Sequence, residues 1–132
     1  MFKILFWLYL INAILLIDHE IDSAYWQEWN LFSLPGGIRF FLIIHIPILF
    51  FVLYGLVLIR EQHFIGLIFS LLLAVSGLFA FMIHTYFIKR GHPEFKTIIS
   101  QLILISVSIV SVIQLFITIK LIQTTIGGQR LK

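Results

Sequence analysis

Four stretches of this 132-residue chain carry no Asp, Glu, Lys or Arg: residues 4–17, 40–59, 64–88 and 97–119. About 20 apolar residues are enough for a helix to cross a bilayer. The last three stretches, of 20, 25 and 23 residues, reach that length. Hydrophobic residues make up 61% of the chain and charged residues only 11%, against roughly 25% charged in soluble domains. A mean hydropathy of +1.08 leaves too little polar surface to coat a globule. A soluble enzyme, a secreted disulfide scaffold and a disordered tail are therefore excluded. The absence of cysteine removes thiolate catalysis, Cys-ligated zinc and iron–sulfur clusters. The fold predicted is all-α: a transmembrane four-helix up-down bundle, one domain over 1–132 with spans about 3–22, 39–59, 64–88 and 97–120.

The first stretch needs an argument, because its 14 residues cover only about 21 Å of a hydrocarbon core about 30 Å thick. A signal peptide would also place Lys3 before an apolar run. Asp22-Ser23-Ala24 is a poor cleavage site, however, with Asp where a small residue is wanted. A helix continuing past Ile17 fits better. It draws Asp18, His19, Glu20 and Asp22 to the membrane boundary, and Tyr25, Trp26 and Trp29 follow at headgroup level.

Leu34-Pro35-Gly36-Gly37 is a turn, Arg60-Glu61-Gln62-His63 a tight link, and Pro93 suits the start of a new element. Short links make successive helices antiparallel neighbours. The net charge of +3 comes from scattered basic residues that flank the apolar runs, as membrane anchors do and nucleic-acid surfaces do not. Orientation stays open: Lys3, Arg60, Lys120, Arg130 and Lys132 fall on one face and Arg39, Lys89, Arg90 and Lys96 on the other. The expected partners are the lipid bilayer and a second copy of the chain or another membrane protein.

The up-down order gathers ionisable residues at one face. His19, Glu20, Asp22 and Glu28 end the first span, His45 lies near the start of the second, His84 near the end of the third and Gln101 near the start of the fourth. The other half keeps mild polar groups: Asn12, Ser70, Ser111, Gln114 and Thr118. Asn12, His19, Ser23 and Trp26 share one helical stripe. Gly66, Ser70, Ala74, Gly77, Ala80 and His84 form a stripe of small residues, so His84 should face the other helices. Pro47 should free a carbonyl near His45. Ionisable residues inside a membrane are costly and read as functional.

His19, Glu20, Asp22, Glu28, His45 and His84 are thus the expected polar site. Imidazoles and carboxylates bind zinc, iron or manganese, and His19 and Asp22, three apart, can face one ion with His45 and His84 as further ligands. Haem between two facing histidines ranks behind these metals. Without metal, Glu20 or Glu28 could carry a proton to or from a neighbouring histidine. The competing reading is a structural subunit whose polar contacts lock the helices or an oligomer. A proton or solute pathway is weaker, because the far half lacks ionisable groups. His63 and His92 sit in links and are expected in solvent, and the tryptophans are expected as interface anchors.

The string His19-Glu20-Ile21-Asp22-Ser23-Ala24-Tyr25-Trp26-Gln27-Glu28-Trp29-Asn30-Leu31-Phe32 resembles the signature of a family of small bacterial membrane proteins without assigned function. That resemblance covers essentially the whole chain and implies four spans and a bacterial inner-membrane location. It carries no reaction. A looser similarity is to four-span sterol-isomerase-like proteins, which also set histidines and carboxylates in a membrane cavity. It is an analogy of layout alone.

Overall fold

A computed structural model of the chain describes residues 1–129. Arg130 and Lys132, placed with the basic residues of one face above, lie outside the described residues. Helix α1 covers Phe2–Tyr25, α2 Glu28–Leu31, α3 Gly37–Arg60, α4 Phe64–Lys89 and α5 Ile98–Gln129. The described residues contain no strand. Four of these helices are long and apolar enough to cross a membrane. A helix satisfies its own backbone polar groups, which an apolar slab demands.

The ends follow local chemistry. At the end of α3, Gln62 takes the left-handed conformation (φ 57°), and the His63 amide returns to the Leu58 carbonyl at 2.9 Å. Gly91 does the same for α4 at φ 94°, a backbone conformation that suits glycine. Thr97 opens α5 by accepting a hydrogen bond from the Ser100 amide at 3.1 Å. His63 caps α4, its Nδ1 accepting from the Ile65 amide at 3.2 Å, which gives this link histidine a local structural role.

The long helices alternate in direction. Tyr9 and Glu20 of α1 meet Val52 and His45 of α3, and Ser70 of α4 meets Gln114 and Thr118 of α5. Around the bundle α1 packs on α3, α3 on α4, α4 on α5 and α5 on α1. The parallel pair α1 and α4 also touch across the middle, and α3 and α5 do not. The chain thereby has a core of Leu5, Tyr9, Leu16, Ile59, Leu67 and Val107 inside a wide belt of exposed Ile, Leu and Phe. That belt faces outward because lipid, not water, is its solvent.

Five members of the small-residue stripe of α4 are buried as expected, Gly66, Ser70, Ala74, Gly77 and His84, and Ala80 is half-buried. A Cβ at Gly77 would overlap Ser111 Oγ and approach Val107 at 2.9 Å. The close α4–α5 approach therefore depends on the missing side chain.

Two elements differ from the expectation. Helix α5 runs on to Gln129 beyond the span end set at 120. The connection after α1 is not a plain loop, because Gln27 turns left-handed (φ 54°) and α2 follows at once. Helix α2 therefore opens with Glu28 folded against α4 at His84.

Candidate functional site

Two polar clusters sit inside the bundle, and they differ in one physical respect. The first lies at mid-helix among α1, α4 and α5. Asn12 donates from Nδ2 to Gln114 Oε1 (2.8 Å) and Ser111 Oγ (3.1 Å). Gln114 donates from Nε2 to the carbonyl and hydroxyl oxygens of Ser70, each at 3.0 Å. Ser70 and Thr118 share a hydroxyl hydrogen bond of 2.7 Å, and Thr118 also donates to the Gln114 carbonyl at 2.7 Å. All five side chains are fully buried, yet none has a buried polar atom without a partner. Hydrogen bonds of this kind hold membrane helices together. From the sequence these residues read only as mild polar groups in the half without ionisable residues. The signal was the 3-and-4 spacing of Ser111, Gln114 and Thr118 facing the stripe of Asn12.

The second cluster lies where the ends of α1 and α4 meet α2. His19 and His84 are 2% and 1% exposed, with ring centroids 4.7 Å apart, edge to face. Glu28 Oε1 is 3.4 Å from His84 Nε2. One ligating atom from each of His19, Glu28 and His84 falls within 4.8 Å of the others. Phe95, from the link before α5, seals the group with its ring centroid 4.1 Å from that of His84. It is 1% exposed and sits at φ 62°, a conformation that strains a bulky residue unless packing holds it there. Here polar atoms are left over: His19 Nδ1, His84 Nδ1, Asp22 Oδ2 and Trp26 Nε1 are buried and make no hydrogen bond. Burial pushes the Glu28 carboxyl up from 4.5 to about 7.

The other predicted site residues go elsewhere. His45 does not join the two histidines. Its Nε2 meets Glu20 Oε2 at 2.7 Å, and its Nδ1 donates to the Phe41 carbonyl at 2.6 Å. The ring also stacks on Phe41, centroid to centroid at 3.9 Å. Pro47 leaves the Ile43 carbonyl without its helical donor, so the carbonyl that His45 uses is a different one. Because a carbonyl can only accept, His45 Nδ1 carries a proton, and one further proton lies between Nε2 and Glu20. The pair is net neutral wherever that proton sits. Asp22 stays outside the His19–Glu28–His84 trio, and Gln101, exposed, donates to the Lys96 carbonyl at 3.3 Å.

Trp26 turns in towards Phe95, with centroids 6.4 Å apart, and Tyr25, 76% exposed, takes the outward position. His92, set at 3.6 Å from Glu94, is half-exposed as a link residue should be.

A cavity of about 210 Å³ joins the pairs, lined among others by Glu20, Glu28, Trp29, Phe41 and His45. One end of the bundle therefore holds a proton-sharing carboxylate–imidazole pair and a trio of clustered ligating groups, of which the two histidines each keep an unpartnered Nδ1. Phe95 was not legible as part of this site, since neither its left-handed turn nor its burial has a sequence signature.

No curated protein and no solved structure matches the chain. Residues 5–121, which include every residue of both clusters, match the family of unknown function DUF6713, and the chain belongs to that family.

Proposed function

We propose that this integral membrane protein binds one divalent transition-metal ion, zinc, iron or manganese, through His19, Glu28 and His84 near one membrane face. The observation behind this reading is that two almost fully buried imidazoles and a carboxylate each bring a ligating atom within 4.8 Å of the others, and that each ring also keeps its Nδ1 without a partner. A buried polar group without a hydrogen bond costs about 1–3 kcal/mol. A structural lock would have satisfied these groups, as the Asn12–Gln114 network does in the same molecule. A cation on His84 Nε2 and Glu28 Oε1 would use the clustered donor atoms and fix Nδ1 of His84 as the ring N–H.

The donor set suits the proposal. Two imidazoles and a carboxylate bind zinc, iron and manganese and leave coordination positions open for water or substrate. Zinc holds nitrogen at about 2.0–2.1 Å, so tetrahedral ligands stand about 3.4 Å apart. His84 Nε2 and Glu28 Oε1 have that spacing, 3.4 Å. Haem fits poorly, because histidine rings in contact at 4.7 Å leave no slot for a macrocycle. Asp22 and His45, which the sequence suggested as ligands, are not needed. The family resemblance supports a bacterial inner membrane as the location, and the whole chain would act as one domain.

Titration of zinc, manganese or ferrous iron into chelator-stripped protein in lipid nanodiscs tests this. Saturation near one ion per chain for at least one metal, lost in His84→Ala, is the expected result. No binding of any of the three metals would overturn the proposal.

A further inference from the structure

The Glu20–His45 pair also stands at the head of a second, larger space. A groove of about 430 Å³ runs between α1, α3 and α4, and its walls include Tyr9, Leu16, Ile48, Phe51, Phe69 and Ser76. Glu20 and Ile48 line both this groove and the smaller cavity, so the two spaces meet at the carboxylate. Ile48, Phe51 and Leu72 are exposed, which places the mouth of the groove on the lipid-facing surface.

Three properties together select an occupant. From Tyr9 to Glu20 the groove follows α1 for about 16 Å at 1.5 Å per residue. That is half of a hydrocarbon core about 30 Å thick, the depth one lipid chain covers in its leaflet. The walls are apolar except near Glu20, apart from Ser76, whose hydroxyl is spent on the Leu72 carbonyl at 2.9 Å, and Tyr9, which donates to the Val52 carbonyl at 2.8 Å. At the head, Glu20 uses Oε2 for His45 and makes no other hydrogen bond among the described residues, which leaves Oε1 to accept one. Both nitrogens of His45 are engaged. The head thus offers acceptor capacity on a net-neutral pair. A charged headgroup would enter an apolar slot uncompensated, at a high desolvation cost. A neutral hydroxyl would not.

We infer that the groove binds a single-chain lipid alcohol, its hydroxyl donating to Glu20 Oε1 and its chain lying along α1 towards Tyr9. The inference does not rest on the metal proposal, because neither His19 nor His84 lines the groove.

The test is photolabelling of the nanodisc-embedded protein with hexadecanol carrying a mid-chain diazirine, mapped by peptide mass spectrometry and run on both metal-free and metal-loaded protein. Saturable labelling of the α1, α3 and α4 walls is expected, competed by hexadecanol and at least about tenfold less well by hexadecylamine or palmitate, as the desolvation cost of a charged headgroup implies. Ser76→Phe and Leu72→Trp, both at lipid-exposed positions, fill the groove and should abolish labelling without changing metal content. Glu20→Leu, which removes the acceptor, should weaken competition by hexadecanol about tenfold. Non-saturable labelling spread over all lipid-facing helices would overturn the inference. So would equal competition by amine or fatty acid, or full labelling in both groove-filling variants.

Discussion

His84 Nε2 and Glu28 Oε1 lie 3.4 Å apart, although His84 belongs to a long apolar helix and Glu28 to the four-residue helix outside it. The contact exists because Gln27 turns left-handed directly before α2. A carboxylate from the membrane boundary thereby closes over two histidines that the long helices hold rigidly.

That contact has a pH signature. The Glu28 carboxyl is raised from 4.5 to about 7 by burial, so the folded protein keeps a proton that the unfolded chain releases between those values. Stability of the metal-free protein should be level below pH 4.5 and fall as pH rises to about 7. The apparent melting temperature of chelator-treated protein, followed across this window, should drop less in Glu28→Gln than in the wild type. Superimposable profiles would rule out the effect.

Substitution at the two buried-histidine positions should separate from substitution at the neighbouring pair. His84→Ala is expected to lose bound metal, whereas His45→Ala keeps it, since His45 contacts Glu20 and Phe41 and stands outside the trio. Loss of metal in His45→Ala with the fold retained would return His45 to the ligand set.

The mid-helix network should be purely structural. Gln114→Leu removes one partner each of Asn12 Nδ2 and Ser70, which keep Ser111 and Thr118, and should lower stability by about 0.5–1.5 kcal/mol per hydrogen bond lost. Metal content should not change. Thermal unfolding beside metal analysis of the same preparation reads both.

Much of this arrangement was legible in the sequence, for identifiable reasons. Charge-free runs mark the long helices because a bilayer tolerates little else. Alternating direction then forces His19, His45 and His84 to one end, and the small-residue stripe turns His84 inward. Which groups actually meet was not legible. It depends on the rotation of α3, which sends His45 to Glu20, and on the left-handed residues Gln27 and Phe95. Neither residue type announces such a conformation. The Asn12–Gln114 bond joins positions 102 residues apart, beyond the reach of any local pattern.

The α4–α5 seam offers a check on the packing itself. Gly77→Ala would drive a Cβ into Ser111 Oγ and against Val107, and overpacking of this kind costs about 1–3 kcal/mol. A lower melting temperature for Gly77→Ala is expected. A more exposed control, Gly127→Ala, has nothing within 4 Å of the new Cβ and should melt at or slightly above the wild type, since alanine favours the helix.

A metal centre formed by His19, Glu28 and His84 is read out by elemental analysis of the purified protein. Protein extracted from metal-replete cells should contain close to one zinc, iron or manganese ion per chain, and His19→Ala/His84→Ala protein of unchanged helicity should contain none. Wild-type protein free of all three metals, or a variant that retains its full complement, would rule this metal centre out.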